Sequence, residues 1–180
     1  VFGVRPTGPS TSYGYIRKGT GIDGLAGVET VAAFVEKPNA EKARDYVAGG
    51  YLWNSGNFMM RAATALSEIE ANRPTVANAA VVAVAEAKAA GGVVELAPGP
   101  FGKADRISFD HAVMEKTVKA AVVEARFDWT DLGTWASVWD SSTRDADGNA
   151  ASGEVVSVDS HRNYITTDRP LIGVVGVDDL

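Results

Sequence analysis

A strand, a helix and a second strand are predicted in immediate succession, and this succession constrains the fold more than any other feature of the sequence. Residues 28–35 are rich in Val, Ala and Phe, as in a buried strand. Residues 39–50 have apolar side chains at helical spacing and end in two glycines. Residues 51–53 begin another apolar run. This order predicts a βαβ unit, and similar alternation along the chain predicts the α/β class, with a mixed sheet flanked by helices.

Polar residues follow both strands of this unit. Glu36 and Lys37 come directly after the first strand, and Pro38 ends its hydrogen-bonding run. Asn54 and the Ser-Gly pair at residues 55–56 follow the second strand. Because the two strands of a compact βαβ unit run in the same direction, their ends meet at one edge of the sheet. The sequence therefore predicts a polar pocket at the strand ends.

The composition limits the classes of partner. The chain has 180 residues, of which 46% are hydrophobic, enough to bury a substantial core. Its net charge of −6 disfavours binding to nucleic acid or to an anionic membrane, because phosphate neutralisation needs clustered Lys and Arg. It has no cysteine, and it lacks an apolar run near the ~18 residues typical of a membrane helix. We expect a cytoplasmic protein with small-molecule partners.

Five motifs carry a resemblance to a known family. They are Thr-Ser-Tyr-Gly-Tyr-Ile (11–16), Phe-Val-Glu-Lys-Pro (34–38), Gly-Gly-Tyr-Leu-Trp-Asn-Ser-Gly (49–56), Ser-Phe-Asp-His-Ala-Val-Met-Glu-Lys-Thr (108–117) and Trp-Thr-Asp-Leu-Gly-Thr-Trp (129–135). Together they resemble the nucleotidyltransferases that make nucleotide sugars, above all the mannose-1-phosphate guanylyltransferase branch. The family's glycine-rich nucleotide-binding motif with its arginine is not found in this sequence.

The resemblance implies a fold and a domain organisation. Residues 1–145 are expected to be the C-terminal, sugar-phosphate-binding part of a nucleotidyltransferase domain, with a mostly parallel sheet. Residues 146–180 are expected to be a linker and the beginning of a small β region. The nucleotide-binding half is expected to precede residue 1.

The resemblance also implies a reaction. The whole protein would transfer GMP from GTP to mannose 1-phosphate, giving GDP-mannose and pyrophosphate, and the isolated chain would be inactive. Such a reaction needs no protein nucleophile, because catalysis rests on positioning and charge neutralisation. The resemblance leaves a homodimer open.

The resemblance implies roles for five residues of the polar pocket. Glu36 and Asn54 would bind the mannose hydroxyls, because a carboxylate accepts hydrogen bonds and an amide both donates and accepts them. Lys37 would bind the sugar phosphate as a point charge and act in catalysis. Gly14 and Gly56 would allow the backbone to approach the sugar closely. For Gly14, a β-bulge is an equally good explanation from the sequence alone.

Asp131 is the residue that the resemblance assigns to Mg²⁺, with a catalytic role. Its position two residues before a glycine, at a predicted strand-to-helix turn, also suits a helix cap, and the residue pattern leaves both roles open. The lone His111 is interpreted as structural rather than as an acid or base. Ser12, Asn57 and His111 depart from the usual family pattern, and each adjoins a motif residue.

Two other functions stay open at this point. One is transfer to glucose 1-phosphate from a thymidine, uridine or adenosine triphosphate by a related nucleotidyltransferase. The other is a non-catalytic module that binds sugar phosphate as a sensor or regulatory subunit. An α/β fold alone does not distinguish them, because such sheets host many functions.

Overall fold

The structure, a computed structural model, describes residues 1–180 and separates into two compact units, Val1–Phe127 and Asp128–Leu180. The predicted division at residue 145 followed composition and family resemblance rather than compactness, and it stays a prediction. None of the helices is both long and apolar enough to cross a membrane.

The first unit contains seven strands, four α-helices and one π-helical turn. In chain order the elements are β1 (Phe2–Val4), β2 (Tyr15–Ile22), β3 (Leu25–Val35), α1 (Ala40–Ala48), β4 (Leu52–Asn54), α2 (Ala62–Asn72), α3 (Pro74–Ala85), β5 (Lys88–Ala90), β6 (Val93–Glu95), α4 (Pro98–Phe101), the π-helical turn (Asp110–Met114) and β7 (Ala121–Glu124).

Five of these strands pair in a closed ring in the order β1–β4–β2–β3–β7, with β7 returning to β1. Only β1 and β7 are parallel, and the other four pairs are antiparallel. The sheet is therefore mixed, as predicted, but the expectation of a mostly parallel sheet is wrong for this chain. The reason is partly local: β2 and β3 are joined by the tight turn at Asp23 and Gly24, where Gly24 has φ +77°, and such a turn joins only antiparallel strands.

The predicted strand–helix–strand unit is present, with one strand inserted in its middle. Strands β3 and β4 both pair antiparallel with β2, so they run parallel to each other on either side of it. Helix α1 connects them. It begins after Asn39, whose Oδ1 accepts the N–H of Lys42 at 2.9 Å, and it ends at Gly49. The helix end predicted from the two glycines at 49–50 is thus confirmed.

The core of the first unit lies between the strand ring and the π-helical turn. It consists of Ile16, Phe34, Leu52, Met114 and Val122, all buried. Ile16 pairs with Phe34 in β3 and with Leu52 in β4, so three strands contribute to one apolar layer. Burying such side chains contributes about 1.5–3 kcal/mol each.

The alanines and valines of residues 76–90 favour a helix along that whole stretch, and the structure departs from this expectation after α3. The helix ends at Ala85, and β5 and β6 form an antiparallel hairpin. Gly91 and Gly92 have φ +58° and +81° and make its two-residue turn. These glycines turn a hairpin rather than end a helix, because both adopt the left-handed conformation that such turns require.

The second unit contains α5 (Trp135–Ser141), β8 (Ala150–Ser152), β9 (Val155–Val158), β10 (Tyr164–Thr166) and β11 (Ile172–Val175). Strands β8 and β10 pair in parallel, as do β9 and β11. Residues 150–175 thus contain four short strands.

Two buried asparagines link segments of the second unit that are 14 to 17 residues apart in the chain. Asn149 Oδ1 accepts the backbone N–H of Asn163 at 3.1 Å, and Asn163 Oδ1 accepts that of Leu180 at 2.9 Å. Asn163 Nδ2 also donates to the carbonyl of Val177 at 2.7 Å. Both asparagines are almost fully buried, and these bonds satisfy their side-chain amides inside the unit.

Candidate functional site

Three of the predicted site residues converge at one end of β2. Tyr15, the first residue of β2, lies opposite Val35 in β3 and opposite Trp53 in β4. Gly14, Glu36 and Asn54 are the chain neighbours of these three positions, so they meet at this end of β2. The N–H of Asn54 donates to the carbonyl of Gly14 at 2.8 Å. A Cβ atom on Gly14 would lie 2.5 Å from Glu36 Oε2 and 3.1 Å from Asn54 Cβ. The predicted meeting of Gly14, Glu36 and Asn54 is observed.

Glu36 has an unusual environment for a carboxylate. Its side chain is only 11% exposed, and Oε2 is buried without a hydrogen-bond partner in the protein. Burial raises the pKa of Glu36, the negative charge of Asp110 raises it further, and Lys37 opposes the shift. A buried acceptor without a partner is costly, and a donor placed beside it would recover that cost.

Lys37 follows directly at the strand exit. Its backbone has φ +46°, in the left-handed region that residues with a Cβ adopt infrequently. Its Nζ lies 3.5 Å from Glu36 Oε1, and its side chain is 63% exposed. The left-handed turn therefore keeps the ammonium beside the Glu36 carboxylate while leaving most of it accessible to a ligand.

Asn54 is buried and is held at both ends of its side-chain amide. Its Oδ1 accepts the N–H of Gly56 at 3.1 Å, and its Nδ2 donates to Asp110 Oδ1 at 3.0 Å.

Gly56 is exposed, has φ +72°, and would have nothing within 4 Å of an added Cβ. The structure thus explains Gly56 by its left-handed turn. Asn57, a departure from the family pattern, donates from Nδ2 back to the carbonyl of Ser55 at 3.2 Å.

The π-helical turn and the residue that follows it contribute two contacts that the sequence analysis did not assign to the site. Asp110 Oδ1 accepts from Asn54 Nδ2, and Glu115 Oε1 accepts the backbone N–H of Glu36 at 3.1 Å. The sequence signal was the 108–117 motif itself, but its contact partners lie more than 50 positions away in the chain. Pattern analysis of a single sequence gives no information on such pairs.

His111, interpreted as structural and without an assigned partner, has one in the structure. Its Nδ1 lies 3.1 Å from Glu115 Oε2, and its N–H donates to Ser108 Oγ at 3.3 Å. Burial alone would raise the pKa of Glu115, but the Glu36 N–H and His111 outweigh it and hold that pKa below its ordinary value.

Asp131 belongs to the second unit, whereas the five pocket residues belong to the first. Its Oδ1 accepts the N–H of Gly133 at 3.0 Å. The alternative role as cap of the next helix is wrong, because Thr134 caps α5 by accepting the N–H of Ser137 at 3.1 Å. Asp131 thus closes a local turn just before the helix.

The Mg²⁺ role expected for Asp131 depends on which other metal-binding side chains the chain provides. The chain has no group of three or more His, Asp or Glu side chains that could hold a metal ion. Mg²⁺ in phosphate-transfer sites is commonly held by one or two carboxylates together with substrate phosphates. Asp131 offers one hard, exposed carboxylate, which fits a shared ligand of this kind but not a site made by this chain alone.

Comparison with known proteins agrees with the motifs. The family described as nucleotidyl transferase matches residues 1–148. A mannose-1-phosphate guanylyltransferase from Sinorhizobium fredii is 40% identical over 179 residues, covering 99% of this chain and 35% of the relative. The alginate biosynthesis protein AlgA from Pseudomonas aeruginosa is 38% identical over 181 residues, covering 100% of this chain and 38% of the relative. The chain thus spans little more than a third of the length of these relatives.

Comparison with solved structures also finds enzymes named for mannose phosphates. A crystal structure described as mannose-1-phosphate geranyltransferase from Thermus thermophilus superposes with a TM-score of 0.80 and 31% identity, covering 98% of this chain and 50% of that one. A mannose-6-phosphate isomerase from Helicobacter pylori gives a TM-score of 0.63 and 29% identity over 72% of this chain and 50% of that one. With a family match over residues 1–148 of 180, the chain belongs to the nucleotidyl transferase family.

Proposed function

We propose that the whole protein transfers GMP from GTP to mannose 1-phosphate, giving GDP-mannose and pyrophosphate. The observation that carries the proposal is the convergence of Gly14, Glu36 and Asn54 around a buried carboxylate oxygen without a partner. The names of the relatives that align over nearly the whole chain support mannose 1-phosphate and a guanylyl group as the substrates.

Glu36 and Asn54 bind the sugar hydroxyls in this proposal. The free Oε2 of Glu36 accepts from hydroxyls, and a hydroxyl donor there removes the cost of the unpaired acceptor. The second N–H of Asn54 Nδ2 is available beside it, because the first is bonded to Asp110. Gly14 makes room for the Glu36 carboxylate beside Asn54, since a Cβ at position 14 would collide with Glu36 Oε2.

Lys37 binds the phosphate of the sugar and stabilises its charge during transfer. Two unit charges 4 Å apart attract by roughly 4 kcal/mol at an effective dielectric constant of 20 and by about 1 kcal/mol in water. Because the Lys37 side chain is 63% exposed, its contribution in the isolated chain is near the lower figure. Closure of the site by the nucleotide and the rest of the protein increases it.

Mg²⁺ is the proposed cofactor, and Asp131 is the residue of this chain that would hold it. The ion would neutralise charge on the phosphates and orient them. Asp131 would contribute one carboxylate oxygen, and its bond to the N–H of Gly133 fixes the direction of that carboxylate. The remaining ligands would come from the substrates and from outside this chain, so the isolated chain is expected to be inactive.

In the reaction, the phosphate oxygen of mannose 1-phosphate attacks the α-phosphorus of GTP and pyrophosphate leaves. No side chain of this chain forms a covalent bond to substrate in this proposal. The residues of the chain position the sugar phosphate in line with the α-phosphorus, which is the main catalytic term for such transfers. A cytoplasmic location and a homodimer remain expectations.

The activity is tested by pyrophosphate release from the whole protein with mannose 1-phosphate or glucose 1-phosphate and each of GTP, UTP, dTTP and ATP. The expected result is fastest turnover with mannose 1-phosphate and GTP. Fastest turnover with glucose 1-phosphate would assign the protein to another branch of the family. Sugar-phosphate binding without turnover with any nucleotide would support a non-catalytic module instead.

A further inference from the structure

The π-helical turn Asp110–Met114 and the next residue, Glu115, contact both residues proposed to bind the sugar hydroxyls. We propose that this turn positions the sugar-binding groups, with Asp110 and Glu115 as positioning residues that set the discrimination between sugar 1-phosphates. The inference rests on the proposed function and deepens it. Neither residue needs to touch the sugar.

The π geometry brings these two residues together. The N–H of Glu115 donates to the carbonyl of Asp110 at 3.0 Å, which closes a turn of five residues rather than four. In an α-helix with 3.6 residues per turn, side chains five positions apart diverge by about 140°. The wider turn lets Asp110 reach Asn54 while Glu115 reaches the end of β3. Such turns are rare and occur frequently at functional sites.

Asp110 fixes which way the Asn54 amide faces. With Nδ2 donating to Asp110 and Oδ1 accepting from Gly56, each end of the amide has a partner of the right kind. Reversing the amide would set its oxygen against the Asp110 carboxylate and its NH₂ against the Gly56 N–H. Both contacts would be repulsive, and Asn54 is buried, so water cannot relieve them. The groups left for a ligand are therefore defined.

Glu115 fixes the backbone at the exit of β3. The last β3 residue paired with β2 is Val35, so the N–H of Glu36 lies beyond the ladder and is bonded by Glu115 Oε1 instead. Lys37, the next residue, has φ +46°. Holding the Glu36 N–H therefore holds the point from which the carboxylate and the ammonium both project.

The turn is itself anchored in the core. Ala112, Val113 and Met114 are buried, and Phe109 packs edge-on against Phe58 with ring centroids 5.2 Å apart. A rigid support of this kind is what discrimination requires, because mannose and glucose differ only in the orientation of one hydroxyl. Donors and acceptors that move by about 1 Å no longer distinguish the two.

The test compares four variants of the full 180-residue chain with matched controls. Asp110→Ala and Glu115→Ala remove the acceptors, whereas Asp110→Asn and Glu115→Gln keep an acceptor oxygen without the charge. Asp23→Ala and Glu70→Ala remove exposed carboxylates elsewhere in the same unit. Calorimetry gives the ratio of affinities for mannose 1-phosphate and glucose 1-phosphate. NMR without ligand gives the Asn54 side-chain NH₂ resonances and the exchange rate of the Glu36 amide.

The proposal predicts that each alanine variant reduces the affinity ratio by roughly tenfold, the scale of one well-placed hydrogen bond. The amide variants restore most of the ratio, and the controls leave it unchanged. Without ligand, Asp110→Ala shifts the Asn54 NH₂ resonances, and Glu115→Ala accelerates exchange of the Glu36 amide by at least tenfold.

The outcomes separate this inference from the proposed function. A wild-type chain that prefers mannose 1-phosphate, with alanine variants that keep the wild-type ratio, overturns the positioning role and leaves the proposed function intact. A wild-type chain that binds neither sugar phosphate overturns the proposed sugar site, and the ligand-free NMR still decides whether the turn orients Asn54 and Glu36. Equal losses of affinity for both sugars, with an unchanged ratio, would show a structural role only.

Discussion

Gly14 and Glu36 are complementary: the glycine has no Cβ at the position where one would lie 2.5 Å from the Glu36 Oε2 oxygen. Real Cβ atoms essentially never approach a heavy atom so closely. The side chain of Glu36 therefore occupies space that only a glycine at position 14 leaves free. Gly14 precedes β2, and the groups that approach it closely in the structure are Glu36 and Asn54. Its close approach to a sugar stays a prediction.

Replacing Gly14 by alanine is expected to displace the Glu36 carboxylate. Because Oε2 ends a flexible side chain that can move, the loss of stability should lie at the lower end of the about 1–3 kcal/mol typical of overpacking. Affinity for mannose 1-phosphate should fall at least tenfold, as measured by calorimetry alongside urea unfolding. Gly21→Ala is the control, because Gly21 lies in β2, the strand that Gly14 precedes, with nothing within 4 Å of an added Cβ. Equal effects of the two substitutions would contradict the account.

Glu36→Gln is expected to stabilise the ligand-free chain at neutral pH while reducing sugar-phosphate binding. Since the pKa of Glu36 is raised in the folded chain, the folded state binds its proton more tightly than the unfolded state. Its contribution to stability therefore falls as pH rises above the ordinary glutamate pKa. The gain from Gln should be about 1 kcal/mol at neutral pH and vanish below that pKa.

Chemical unfolding at several pH values measures this gain, with Glu70→Gln as the control for loss of an exposed carboxylate. A gain that grows as the pH is lowered would have the wrong sign for a carboxylate with a raised pKa. It would show that Glu36 is stabilised as the anion in the folded chain.

Asn163→Ala is expected to destabilise the second unit by about 2–3 kcal/mol, because it leaves the Leu180 N–H and the Val177 carbonyl without their buried partner. Urea unfolding followed by fluorescence is a suitable measurement, since Trp135 stacks on Tyr164 within this unit at 5.8 Å. Ser152→Ala, an exposed position in β8, serves as the control. A loss below about 0.5 kcal/mol, the range of ordinary surface substitutions, would refute the role of these asparagine bonds.

Asp131→Asn is expected to reduce turnover of the whole protein at least hundredfold without changing its melting temperature. The asparagine Oδ1 can still accept the Gly133 N–H, so the local turn is kept while the negative charge is removed. Binding of mannose 1-phosphate without Mg²⁺ should be unchanged. Asp128→Asn removes an exposed carboxylate three residues earlier and controls for net charge. Full activity of Asp131→Asn would exclude a metal role.

The sequence predicted the parts of the fold that local chemistry determines. Asn39 has a side chain that caps a helix, and the apolar run before Glu36 has the pattern of a strand, so α1 and β3 were found close to their observed bounds. The meeting of Glu36 with Asn54 also followed, because parallel strands separated by one helix end at the same edge.

Long-range pairing could not be predicted from one sequence. Nothing local in residues 15–22 indicates that β2 lies between β3 and β4, which makes the sheet mostly antiparallel. Asp110 and Glu115 were missed for the same reason, since their partners are distant in the chain and a π-helical turn has no strong local pattern. The hairpin at Gly91 was missed because the helix propensity of the alanines before it dominated the interpretation.

The most direct test of the sugar site is a calorimetric titration of the chain with mannose 1-phosphate and with glucose 1-phosphate, comparing wild type with Glu36→Ala, Lys37→Ala and the control Lys42→Ala. Lys42 is an exposed lysine of α1. The account predicts preferential binding of mannose 1-phosphate, loss of that binding in the first two variants and wild-type binding in the third. A preference for glucose 1-phosphate, or equal binding by all four proteins, would contradict it.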